Sequence, residues 1–138
     1  MTIFGRLQLV ACMVAGLAAV TVPHAARAEW GAIAAGINRT PGNVYVWGTV
    51  SVRKALKSEA EAEALERCAL DGQVECTIQK TFEGGCGFIS TGGTENPPNA
   101  GYGIGIGASR ENAFQRALSD CEDYGLVCKP PLGDCNMP

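Results

Sequence analysis

The chain has 138 residues, with 11 Lys and Arg against 14 Asp and Glu, a formal charge of −3, seven cysteines and one histidine. That length holds one ordinary domain. The acidic balance leaves no basic stripe to neutralise phosphates, so a nucleic-acid partner is not expected.

Residues 1–28 read as a cleaved signal peptide. Arg6 precedes an uncharged apolar run from Leu7 to Val22, followed by Pro23 and the small-residue pattern Ala26-Arg27-Ala28, which is the order that export signals follow. The run is short of the ~20 apolar residues of a membrane span, so no stable span is expected after cleavage. The phrase Leu9-Val10-Ala11-Cys12 resembles a lipoprotein box, yet the apolar region before Cys12 is very short and the run continues past it, which disfavours lipid anchoring there. The expected location is the periplasm or the extracellular space, reached by the general secretory route. Cleavage leaves residues 29–138 as a single domain, with nine cations against 14 anions. His24, the only histidine, leaves with the signal, and with it any Ser-His-Asp or Cys-His mechanism and any histidine metal ligand. No cofactor and no metal site are expected.

Six cysteines remain: Cys68, Cys76, Cys86, Cys121, Cys128 and Cys135. An even count without a C-x-x-C pair, in a short exported chain, implies a structural disulfide framework. Two similar phrases, "ALERCALDGQVEC" from Ala64 and "ALSDCEDYGLVC" from Ala117, mark two copies, each counted as holding three cysteines. Three is odd, so at least one bridge is expected to cross between the copies. The preferred pairing is Cys68–Cys76, Cys121–Cys128 and Cys86–Cys135, the last linking the halves.

In chain order, "WGAIAAG" from Trp30 is a strand, followed by a loop rich in Asn and Pro. A second strand, "VYVWGTVSV", spans residues 44–52. Ser58 and Glu61 form an S-x-x-E capping box at the head of a helix, whose Ala60, Ala64, Leu65 and Cys68 make one buried stripe. The four glutamates of "SEAEAEALE" form a solvated face. Gly72 stops the helix, and "ECTIQKTF" is the closing strand. The second copy repeats the plan with "CGFISTG" from Cys86, an exposed irregular loop over residues 91–101, and the strand "AGYGIGIGA" at residues 100–108. A helix carrying Ala113, Phe114, Ala117, Leu118 and Cys121 follows, then Gly125 and the segment "VCKPPLG". Pro130 and Pro131 make that last segment an edge strand or merely extended chain. The expectation is an α+β fold of tandem-duplicated ββαβ units, about 30–83 and 86–138, with two helices on a mostly antiparallel sheet, braced by disulfides.

The opening Trp30-Gly31-Ala32-Ile33-Ala34 and the two A-L-x-x-C phrases, each followed by a glycine and a cysteine, resemble the exported bacterial proteins grouped as Domain of Unknown Function 4189. The resemblance covers nearly the whole mature chain and implies a small exported domain. The family supplies no catalytic residues to carry over. Cys86-Gly87-Phe88 and the glycine-rich second unit depart from its pattern.

"GIGIGA", residues 103–108, fits a loose dinucleotide pattern, but export and the absence of these glycines from the first copy oppose that reading. Alternation instead sets Tyr102, Ile104 and Ile106 on one face and Gly103, Gly105 and Gly107 on the other, bare enough for close approach by a backbone or by the ring of Trp30 or Trp47. The first copy is expected to place Val46, Val50 and Val52, around Gly48, on the face that those glycines occupy.

Trp30, Tyr45, Trp47 and Tyr102 are the rings best suited to anchor a partner. Asn96 and Asn99 sit in the loop best suited to recognition. Together they form the candidate interaction surface, with no catalytic residue assigned. The favoured function is a non-enzymatic binding protein of the bacterial envelope or extracellular space, of inhibitor, immunity or effector class, with another protein or an envelope component as partner. One alternative is a carboxylate hydrolase acting on cell-wall glycan through Asp120, Glu122 and Asp123. The other is a structural or stress-related envelope protein.

Overall fold

The computed structural model describes residues 27–70 and 75–136. The signal sequence before Arg27, with Cys12 and His24, and the helix-stopping Gly72 lie outside the described residues.

The first unit is a hairpin of β1 (Trp30–Thr40) and β2 (Asn43–Lys54), then α1 (Lys57–Ala69) and β3 (Thr77–Glu83). The second is a hairpin of β4 (Cys86–Glu95) and β5 (Pro98–Gly107), then α2 (Arg110–Glu122), β6 (Val127–Cys128) and β7 (Leu132–Cys135). Each unit forms its own antiparallel sheet, in the order β2-β1-β3 for the first, and β5-β4-β6 for the second, with β7 also on β4. The duplicated α+β plan therefore resolves into two sheets.

Strand alternation explains how the sheets meet. Ala32 and Ala34 of β1 face α1 and pack with Ala60, Ala64 and Cys68. The intervening Ile33 and Ala35 turn the other way and join Val50, Phe82 and Ile89, with Ile104 and Ile106 against them, in the core between the sheets. On the far side Cys86 and Phe88 of β4 pack with Ala113 and Ala117 of α2. The result is four layers, helix, sheet, sheet and helix. Alanine at i, i+4 with cysteine at i+8 gives each helix a fully buried stripe of small side chains, which lets its backbone sit close to the strands.

Glycine carries that closeness furthest in the second unit. A Cβ on Gly103 or Gly105 would run into the main chain of α2 at Ala117, Cys121 and Ala113. The helix backbone, and not a tryptophan ring, is what the bare face of β5 accommodates. Val50 and Val52 of β2 lie between the sheets with Ile104 and Ile106, so the valines match the isoleucine face of β5. The residue that turns to α1 is Ser51, whose Oγ donates to the Ala60 carbonyl at 2.6 Å. Parity explains the correction: Ser51 lies opposite Ala32 and against the Ala60 carbonyl, as Gly105 lies opposite Phe88 and against the Ala113 carbonyl, so Ser51 matches Gly105 and Val50 matches Ile104.

Three local expectations change. The helix α1 begins at Lys57 behind Leu56, and Glu59 Oε2 accepts from the Leu56 N–H at 3.3 Å, so the capping carboxylate is Glu59 and Ser58 already lies inside the helix. In α2 the Ser109 hydroxyl does cap, accepting from Asn112 N–H at 3.2 Å. Residues 91–101 are mostly strand: β4 runs to Glu95, the chain turns at Asn96 and Pro97, and β5 starts at Pro98, with Thr94 opposite Asn99. Backbone pairing overrides a composition that reads as loop. The closing segment splits into β6 and β7 on either side of Pro130 and Pro131, which have no N–H to give a ladder.

The bridges are Cys68–Cys76, Cys121–Cys128 and Cys86–Cys135. The third does not link the halves. Cys86 opens β4 and stands opposite Cys135 of β7 in one ladder, so this bridge closes the second sheet. The count of three cysteines per copy fails: the unit that opens at residue 86 holds Cys86, Cys121, Cys128 and Cys135 and the first holds Cys68 and Cys76, so no bridge needs to cross. The halves are joined instead by the core between the sheets and by Asn136. Its Oδ1 accepts from the Arg53 N–H at 2.9 Å, and its Nδ2 donates to the Gly84 carbonyl at 3.0 Å.

Candidate functional site

The two sheets leave a groove between the hairpin ends, built from both units. Ile37 and Arg39 of β1 form one wall, Asn99 to Tyr102 of β5 form the floor, and Tyr124 and Leu126, which follow α2, form the other wall around about 320 Å³. The Arg39 guanidinium reaches Asn99 Oδ1 at 3.4 Å across the groove. The Tyr102 hydroxyl donates to Gln79 Oε1 on β3 at 2.7 Å, tying its ring between the sheets. Burial first, and then the neighbouring Tyr124, push the Tyr102 phenol above its ordinary value of 10.0, so it stays a neutral donor. Tyr124 is 68% exposed. Its ring stands at the mouth because α2 ends one residue earlier, at the Asp123 cap, and Gly125 takes a φ of +70°, the usual way a helix stops.

A second hollow of about 340 Å³ adjoins the first at Ala100, lined by Tyr45, Trp47, Thr91 and Lys129 among others. Trp47 is 44% exposed. The six residues singled out in the sequence therefore separate. Tyr102 and Asn99 line the first hollow, and Tyr45 and Trp47 the second. Trp30 packs, half-buried, on the alanine core beneath α1. Asn96 is exposed at the tip of the second hairpin and lines neither hollow.

Arg39, Tyr124, Ile37 and Leu126 were not singled out from the sequence. Only Tyr124 carried a signal there, as a large ring just past a helix end in a phrase read for its acids. Among those acids, Asp120 Oδ2 accepts from the Ile104 N–H at 2.8 Å and so pins the edge strand β5 to α2. Glu122 and Asp123 are exposed.

The family model described as Domain of unknown function (DUF4189) matches residues 30–135, which takes in both units and every bridge. The chain belongs to the DUF4189 family. No curated protein and no solved structure matches it. The match spans the residues of the groove and all six bridged cysteines. The three bridges fit an oxidising, exported environment. Among the described residues no helix is long and apolar enough to cross a membrane.

Proposed function

We propose that this DUF4189 protein is an exported, non-enzymatic binding protein of the bacterial envelope or extracellular space, and that the groove meeting at Ala100 is its contact surface. The observation that carries this reading is the groove's make-up: exposed Tyr124, anchored Tyr102 and half-exposed Trp47 stand beside the polar groups of Arg39, Asn99 and Lys129. Rings supply contact area at small entropic cost and polar groups fix orientation, the pattern of protein recognition sites. The partner is another protein or an envelope component, and the role is that of an inhibitor, an immunity protein or an effector acting by contact. Periplasmic or extracellular location follows from the signal sequence, whose Cys12 is not lipidated on this reading.

The hydrolase alternative gains no observation, because Asp120 is engaged by a backbone amide of β5. The test is affinity capture from envelope and culture-medium extracts with the oxidised protein, residues 29–138, beside Tyr124→Ala and Arg39→Ala forms. One stoichiometric partner, retained by the parent protein and lost by both variants, is expected. Capture that ignores both substitutions, or turnover of glycan by the purified protein, would overturn the reading.

A further inference from the structure

We propose that Cys86–Cys135 is a thiol-exchange site, and that the cleft above it selects small acidic thiols. The cleft is lined by Arg53 and Asp134 and shares no lining residue with the groove around Ala100.

The cleft encloses about 390 Å³ and is lined by both sulfur-bearing residues, with Arg53, Ser109, Arg110 and Asp134 around them. A bridge in the wall of a cleft is open to an incoming thiolate. Exchange begins with access of a thiolate to one sulfur-bearing residue, and Cys135, half-buried in the cleft lining, offers that access. Cys135 is half-buried while Cys86 is buried, so the attack falls on Cys135 and Cys86 leaves. The other two bridges also pair a buried with a half-buried cysteine, so what sets Cys86–Cys135 apart is its place in the lining of this cleft.

Two guanidinium groups meet one carboxylate at the cleft wall. Arg53 contacts Asp134 Oδ2 at 3.3 Å and Arg110 contacts Asp134 Oδ1. Asp134 stays ionised because the Cys135 N–H, foremost, and the two guanidinium groups hold its carboxyl below the ordinary range. One net positive charge remains in the lining of a protein that is acidic overall. Each guanidinium carries five N–H donors in a planar fork, more than one carboxylate can absorb. An acidic thiol can therefore place its anionic group on the arginines while its sulfur reaches Cys135.

The step is balanced. The incoming thiolate forms a new S–S bond to Cys135 Sγ as the Cys86–Cys135 bond breaks, and the electron pair departs on Cys86 as a thiolate that water protonates. The incoming sulfur is oxidised to the disulfide level and Cys86 is reduced, so no further oxidant enters. Because among the described residues β7 pairs only with β4, over Leu132 to Cys135, opening this bridge loosens the short strand that presents Asp134 and leads into Asn136.

The experiment exposes the oxidised exported protein to mercaptoethanesulfonate, 2-mercaptoethanol or cysteamine at equal thiolate concentration, then maps mixed disulfides by mass spectrometry. The first adduct is expected on Cys135, with the sulfonate ahead of cysteamine by about fivefold, and with Cys68–Cys76 and Cys121–Cys128 intact. The single change Arg110→Gln, which takes the lining from one net positive charge to none, should bring the two rates together. If that variant does not fold, high salt on the unaltered protein must collapse the preference by screening. Exchange beginning at another bridge, cysteamine leading, or a preference indifferent to the arginines and to salt would each overturn the proposal.

Discussion

The backbone N–H of Arg53 donates to the side-chain oxygen of Asn136, 83 positions later in the chain, at 2.9 Å. Arg53 leaves β2 with a φ of +61°, a conformation that non-glycine residues hold only when their surroundings impose it. Asn136 imposes it while fully buried, and the same side chain secures Gly84, in the turn between the units. Replacing Asn136 with Ala strands a buried donor and a buried acceptor, so unfolding in urea should show a loss of about 2–3 kcal/mol. A midpoint equal to the parent's would mean that the Asn136 clasp is not structural.

Gly105→Ala should cost about 1–3 kcal/mol, because the new Cβ meets the main chain of α2, which a packed helix cannot easily yield. The equivalent position in the first unit is Ser51, where a side chain already sits against the Ala60 carbonyl. Ser51→Ala is expected to cost less than Gly105→Ala in the same denaturation experiment, and the reverse order would contradict the closer helix approach in the second unit.

Ser51 is fully buried, and its hydroxyl donates to the Ala60 carbonyl at 2.6 Å. That carbonyl belongs to α1 and has a helical N–H as its ordinary partner, so Ser51→Ala leaves little unpaired. The expected loss is about 1 kcal/mol, the net worth of one hydrogen bond. A loss several times larger would show that α1 depends on this contact for its seat on β2.

Asp134 governs a part of the acid limb of stability. Its carboxyl is held below 3.8, chiefly by the Cys135 N–H and then by Arg110 and Arg53. The depressed value means that the ionised form favours the fold, so its contribution is present above the unfolded value near 3.8 and is lost as the pH falls through the lower, folded one. Asp134→Asn should therefore flatten the change in stability below about pH 4 while leaving its shape near neutrality unaltered. Acid titration of the denaturation midpoint, parent beside variant, reads this directly; superimposable acid limbs would remove Asp134 from the account.

Much of the fold was legible because it is local. The stripes Ala60-Ala64-Cys68 and Ala113-Ala117-Cys121 announce helices that bury a narrow face, and the alternation of Tyr102 to Gly107 announces a strand with one bare side. The readings that changed are those where pairing partners decide. Residues 91–101 have a loop's composition, yet β4 and β5 pair through them to the turn at Asn96 and Pro97. Cys86 follows the first phrase in sequence but belongs to the second sheet. Of the interaction residues, Tyr45, Trp47, Asn99 and Tyr102 come to the groove, while Trp30 turns under α1 and Asn96 to the hairpin tip.

By itself the sequence determined the helical and alternating periods, the duplication, the even set of six cysteines after residue 28 and the acidic balance, all readable from neighbours a few positions apart. Only the tertiary structure decided that the copies form two sheets, that Arg39 meets Asn99 across 60 positions, and that Arg53 meets Asp134 across 81. Those meetings depend on how one sheet lies against the other, and that is set by the shared core of Ile33, Val50, Phe82 and Ile89. No local pattern encodes it, because burial of apolar surface drives the sheets together without direction and the fit of side chains then selects the arrangement.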